Sequence, residues 1–318
     1  MKRQLSRRAF IKSSANVGAA TLVGGHLLGT ISCHPGGESG QKPSADTSIV
    51  AAVTGEDRYA QTVKAIEVLG GMKCFVSGGD RVCILPNTQR NNPGAFTNPD
   101  IVRAVIDLCA QAGSERVDCL SWLPRESWES TGLAQAAKGA GANLKLVDGK
   151  DESLFRAVAV PRGKILKEAC LMELFFEYDV FINIPITKDH AGNKFTGTMK
   201  NLMGLNSPRS NRTFHTGNFK NDNIEHLDQC IADLNTVVAP TLCVVDATEF
   251  IITNGPFGPG KLHHPEKVVA GQDRVAIDAY CASLWDLAPK EIVMIAAGHE
   301  HGLGEIDLSR KDLREIVL

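Results

Sequence analysis

Val180-Phe181-Ile182-Asn183-Ile184-Pro185 decides the fold. The run is apolar except for Asn183, is short, and is halted by a proline, so it predicts a buried strand. Before it, Ile165 to Tyr178 reads as a helix; after it, a polar stretch runs to about Lys220. The same alternation extends outward in both directions. Ile49 to Val53, Val82 to Leu85, Val117 to Leu120 and Leu144 to Val147 predict strands on one side, and Leu242 to Val245 and Val268 to Ala270 on the other. Between and after them lie predicted helices at 56–69, 99–112, 126–139, 223–234, 273–287 and 289–297. In the second of these Asn98 precedes Pro99 as an N-cap, and Ile101, Val105, Leu108 and Ala112 recur at helical spacing. Strands alternating with amphipathic helices define an α/β fold: a mostly parallel sheet with helices on both faces and long loops at the strand C-terminal ends. In such sheets ligands bind outside the carboxyl ends of the strands. Three long connections leave such ends, after Leu85, after Ile184 and after Val245.

The chain divides into residues 1–33, a linker over 34–47, and an α/β domain over 48–318, with two sub-domains near 48–155 and 156–318 as the alternative. Ser6-Arg7-Arg8-Ala9-Phe10-Ile11-Lys12 reads as a twin-arginine export signal, an address recognised by the twin-arginine translocation machinery. Passengers of that route cross the membrane folded, so the expected location is extracytoplasmic. The apolar stretch that follows is Gly-rich and contains His26. It ends at Ser32-Cys33, which resembles a lipoprotein cleavage box. Either Cys33 carries a lipid, which is then the protein's one contact with a membrane, or the protein is cleaved nearby and released.

Residues 1–33 hold Lys2, Arg3, Arg7, Arg8 and Lys12 and no acid. The total of 34 basic and 36 acidic residues therefore becomes 29 and 36, a net charge of −7. An acidic domain argues against nucleic acid as a partner. The eight cysteines after Cys33 are irregularly spaced, several lie in apolar runs, and there is no C-x-x-C. Buried free thiols are favoured, with Cys74–Cys83 the pairing if a bridge exists, and no iron–sulfur cluster is expected. No phosphate-binding G-x-x-x-x-G-K-[ST], no G-x-G-x-x-G after the first strand and no G-x-S-x-G elbow occurs.

One segment stands out. Thr187 to Lys220 carries Lys188, Lys194, Lys200, Arg209, Arg212 and Lys220 against the single acid Asp189, together with His190, His215 and five asparagines. Cationic side chains among amides and glycines make an anion site. A small anionic ligand bearing a carboxylate or phosphate is therefore the expected partner, with Lys188, Lys200, Asn201 and Asn87 as binding residues. His190 and His215 would move protons. Asp246, at the end of an apolar strand, is a further catalytic candidate, and with Asp273 a candidate pair for a divalent metal; the cofactor is otherwise unknown. Asp273 reads equally as a helix cap. Glu249, His263, His264, His299 and His301 are weaker candidates: His263 and His264 cannot both point one way in a strand, and His299 and His301 would chelate only in extended backbone, where their segment instead reads as a helix end and a turn.

Leu85-Pro86-Asn87, Asn98-Pro99-Asp100, Thr196-Gly197-Thr198-Met199-Lys200-Asn201-Leu202-Met203-Gly204, Val245-Asp246-Ala247, Asn254-Gly255-Pro256, Gly271-Gln272-Asp273-Arg274-Val275-Ala276-Ile277-Asp278 and Gly302-Leu303-Gly304 together resemble the domain-of-unknown-function family numbered 362. The resemblance spans nearly all of the chain after the linker. Some members of that family carry a ferredoxin-type cluster module. Its closely spaced cysteines are absent here, so the resemblance implies no cluster. Leu85 stands where the family often has a lysine, so no anion contact is implied at that position. The function expected is an exported enzyme acting on a small anion. The alternatives are a surface-tethered binding protein without turnover and a metal-cofactor oxidoreductase.

Overall fold

The computed structural model describes residues 45–216 and 223–318. The export signal, Cys33 and most of the linker lie outside the described residues, as do Gly217 and Lys220 of the basic segment. In the first half, β1 (Ile49–Thr54), α1 (Arg58–Val68), β2 (Arg81–Pro86), α2 (Pro99–Gln111), β3 (Arg116–Ser121), α3 (Arg125–Ser130), α4 (Leu133–Gly139) and β4 (Asn143–Leu146) alternate as the sequence predicts. The helix expected over 126–139 is two helices, because Gly132 between them takes a left-handed φ of 77°. Asn98 caps α2, its side chain accepting from the Asp100 N–H.

The second half departs further. Of the helix expected over 165–178, the first half is a strand, β6 (Glu168–Met172), paired in a hairpin with β5 (Phe155–Ala159), and only Glu173–Glu177 is helical, as a 3-10 turn. Glu, Ala, Leu and Met in β6 are helix formers, but pairing outweighs propensity. The strand is bound on one edge by β5. On the other, Met172 N–H donates to Leu205 O and Ser207 N–H to Cys170 O. Then follow β7 (Val180–Ile184), β8 (Lys188–His190), β9 (Lys194–Thr196), α5 (Thr198–Asn201), α6 (Pro208–Phe214), α7 (Ile224–Leu234), β10 (Leu242–Ala247), β11 (Phe250–Ile251), β12 (Leu262–His263), β13 (Lys267–Gly271), α8 (Arg274–Ser283), α9 (Val293–Glu300) and β14 (Asp312–Val317).

The main sheet has eight strands in the order β14-β1-β13-β10-β7-β2-β3-β4. Only β13 runs against the others, pairing antiparallel with β1 and β10, so the sheet is mixed but mainly parallel. The alternation of β1 shows how both faces are covered. Val50 and Ala52 face a core built with α5 and α7–α9, whereas Ile49, Ala51 and Val53 face one built with α1, α2 and α4. All of β7 is buried, as a central strand covered on both faces must be. No helix among the described residues is long and apolar enough to cross a membrane.

Candidate functional site

Strands β10, β7 and β2 are consecutive in the sheet. The three long connections singled out in the sequence therefore leave one edge side by side. The connection after β7 is not a loop. It folds into the β8–β9 hairpin and the short helices α5 and α6, which satisfy its backbone while burying most of its side chains.

Asp278, on α8, fixes this segment in place. Its carboxylate accepts from Thr198 N–H at 2.6 Å and Met199 N–H at 3.0 Å, capping α5. Burial outweighs the lowering pull of those backbone donors and leaves the Asp278 carboxyl raised, at about 6. A Cβ on Gly197 would fall inside van der Waals contact of Asp278 Oδ1 and lie 2.5 Å from Phe195 Cε1. The Thr-Gly-x-x-Lys-Asn and Asp-x-Val-Ala-x-Asp segments are thus two halves of one junction, which requires a glycine on one side and a carboxylate on the other.

The junction sets Lys200 and Asn201 over the ends of β2 and β7. A cavity of about 540 Å³ opens there, and His190, His215, Lys200, Asn201 and Asn87 all line it. An amide chain forms its floor. Asn87 Nδ2 donates to Asn201 Oδ1 (3.2 Å), and Asn201 Nδ2 donates to Asn183 Oδ1 (2.8 Å) and Leu85 O (3.0 Å). Asn183, the single polar residue of the run that decides the fold, thus anchors the site from inside the sheet. Arg212 stands exposed at the rim; Thr196 and Asn211 also line the cavity and were not singled out from the sequence.

Lys188 is fully buried and lies behind Asn87 rather than on the cavity wall. Its ammonium donates to two neutral acceptors, Ala95 O at 2.6 Å and Asn87 Oδ1 at 3.2 Å. This corrects the expectation of direct ligand contact: Lys188 orients Asn87. Burial first, and the Lys200 charge second, bring Lys188 down from 10.5 to about 7. In the unfolded chain the lysine titrates at its ordinary value, so between pH 7 and 10.5 the unfolded state holds more protons and stability rises with pH. Below pH 7 both states are protonated and the full burial penalty remains. From pH 7 to 9 the unfolding free energy should therefore rise by about 2 kcal/mol more in the native protein than in Lys188→Met, measured by urea titration. Equal pH dependence would contradict this.

His190 is held neutral. Burial, then the charges of Lys200 and Lys188, push it well below 6.5. Its Nδ1 accepts from Gly192 N–H at 3.0 Å, so the neutral ring carries its proton on Nε2. The residue expected to shuttle protons is thereby built as a hydrogen-bond donor.

Asp246 is not at this cavity. It lines a second cavity beside Arg58, Asn98 and Glu249. Its oxygens accept from Asn98 N–H (2.7 Å), Thr248 N–H (3.0 Å) and Thr248 Oγ1 (2.7 Å), so it ties the start of α2 to the end of β10. Asp273 caps α8 through Ala276 N–H and pairs with Lys311 at 3.1 Å. Nor can the two share a metal. β13 runs opposite to β10, Asp246 pairs with Val268 and Cys243 with Gly271, so Asp273 lies past the other end. The separation begins at three strand residues, about 10 Å. Among the described residues no group of three or more His, Cys, Asp or Glu side chains could hold a metal.

The other histidines are likewise dispersed. His263 Nε2 contacts Leu284 O, His264 meets Glu249 at 3.4 Å, His299 Nδ1 contacts Gly304 O, and His301 Nε2 contacts Asp233 Oδ1 at 2.8 Å. The eight cysteines of the described residues are free thiols, six of them buried.

The class defined by this fold and cavity is an α/β protein with a cationic cleft at the carboxyl ends of its central parallel strands. The family model described as a domain of unknown function, DUF362, matches residues 82–283, and the chain belongs to that family. A thylakoid-associated protein of Synechocystis, sll1697, is 28% identical over 269 residues, covering 80% of this chain and 79% of its own. Among solved structures, the lactate racemase apoprotein of Thermoanaerobacterium thermosaccharolyticum is similar with a TM-score of 0.45 and 13% identity, over 68% of this chain. The chain spans about half, 54%, of that structure's length.

Proposed function

We propose that the cavity binds a small molecule bearing a carboxylate or phosphate, and that the protein is an enzyme acting on it outside the cytoplasm. The observation that carries the reading is the meeting of Lys200, His190 and His215 on one cavity, with the Asn87 and Asn201 amides between β2 and β7. Lys200 pairs with the anionic group. His190 donates from Nε2 to an oxygen that gains negative charge during reaction, the role a neutral imidazole fills when its cation is suppressed. His215, half-buried at the same cavity, carries the proton. The location rests on the twin-arginine pattern at Arg7-Arg8, with Cys33 as the point of lipid attachment or a site close to cleavage.

A panel of carboxylates and phosphate esters tests this. At least one should be consumed, and His215→Gln should lower its turnover about a hundredfold or more while binding persists. Anions that bind without being consumed, equally well in His215→Gln, would instead establish binding without turnover. Failure of every anion to bind would remove the site assignment.

A further inference from the structure

The cavity is larger and more apolar than a small anion requires. At about 540 Å³ it falls in the range that encloses a drug-sized ligand, and a phosphate or acetate ion would leave most of it to water. Its chemistry also divides along its length. The cationic end lies by the segment leaving β7, with His190 and Lys200. The other end reaches the residues leaving β3, where Trp122 and Leu123 stand. Strand β2 lies between β7 and β3, so these ends are two strand spacings apart, about 10 Å.

Leu85, Pro86 and Met203 form apolar wall between them and Pro208 stands at the Trp122 end, while Gln89, Asn211 and Arg212 add polar groups to the same cavity. The Trp122 end is close-packed as well as apolar. A Cβ on Gly149 would lie 2.8 Å from Pro208 Cγ and 3.5 Å from Trp122 Cβ, so no side chain there could fill the gap behind them. At the polar end Thr196 lines the same cavity, and its buried hydroxyl has no hydrogen-bond partner within the protein.

Resting on the anion-site reading above, we infer that the ligand is an amphipathic anion. It carries its carboxylate or phosphate at the Lys200–His190 end and an aromatic or branched apolar body that lies over β2 against Trp122 and Leu123. Exclusion of water from those walls provides the affinity that a bare anion cannot obtain.

Calorimetric titration of the full protein with four probes tests this: 1-naphthyl phosphate against inorganic phosphate, and 1-naphthylacetate against acetate. In at least one pair the naphthyl compound should bind more tightly by about tenfold or more. Trp122→Ala should remove that advantage and leave the bare ion's affinity unchanged, whereas Trp122→Leu, which keeps apolar area, should retain most of it. Both variants should keep the native unfolding midpoint within a few degrees. If the bare ions bind as tightly as the naphthyl compounds, or Trp122→Ala leaves the advantage intact, the amphipathic assignment fails while the anion site stands. If none of the four probes binds, both fall.

Discussion

Gly197→Ala should be among the most damaging single substitutions in the chain, lowering stability by about 3 kcal/mol or preventing folding. Overpacking in a core ordinarily costs about 1–3 kcal/mol. Here the intruding methyl meets groups that cannot retreat. Asp278 is fully buried and holds both Thr198 and Met199 N–H groups, and Phe195 is fully buried on the other side. Moving the carboxylate strips two donors from α5 and leaves a buried charge without them, which adds to the steric cost. Strain in φ is not the cause, since Gly197 sits at −154°. Gly139→Ala is the control: nothing lies within 4 Å of its added Cβ, and it ends a helix. Denaturant midpoints should be unchanged or slightly raised for Gly139→Ala. For Gly197→Ala a midpoint near native would refute the junction.

Lys200→Met should weaken anion binding about ten- to hundredfold, the usual worth of a charge-assisted hydrogen bond, with the fold retained. Methionine keeps the length and apolar stem while deleting the charge. The same substitution has a second, independent signature. Lys200's charge is the second cause, after burial, of the low proton affinity of both His190 and Lys188. Without it, both should titrate closer to their ordinary values, though burial still holds them down. His190 ring resonances followed by NMR against pH should therefore shift at higher pH in Lys200→Met than in the native protein. An unchanged His190 titration together with unchanged affinity would remove Lys200 from the site.

The strand pattern was legible because its signals are local. Val180 to Pro185 is apolar, short and ended by proline, and the segments 49–53, 82–85 and 242–245 repeat the form. The helix start carried by a side-chain cap was equally clear at Asn98. What escaped depends on partners distant in sequence. β6 has the composition of a helix and becomes a strand only through β5 and Leu205–Ser207. β14 is mostly exposed and becomes a strand by pairing with β1. The reversed direction of β13 leaves no trace in its own residues.

The candidate site divides on the same principle. Charge density and glycine content marked His190, Lys200, Asn201 and His215, and the Pro86-Asn87 strand ending marked Asn87. All five meet at one cavity. Lys188 and Asp246 had the right chemistry and the wrong depth: one is sealed behind Asn87, and the other is occupied by backbone donors. Depth and prior engagement are set by tertiary packing, which no local pattern encodes. Trp122 was missed for the opposite reason, since a tryptophan after a strand reads as core until the cavity beside it is seen.

The most direct test is a crystal structure grown with 1-naphthyl phosphate. The phosphate should sit within hydrogen-bonding distance of Lys200 Nζ and the His190 ring, over the ends of β2 and β7. An anion found instead beside Arg58 in the second cavity, with the Lys200 cavity holding only water, would contradict the assignment.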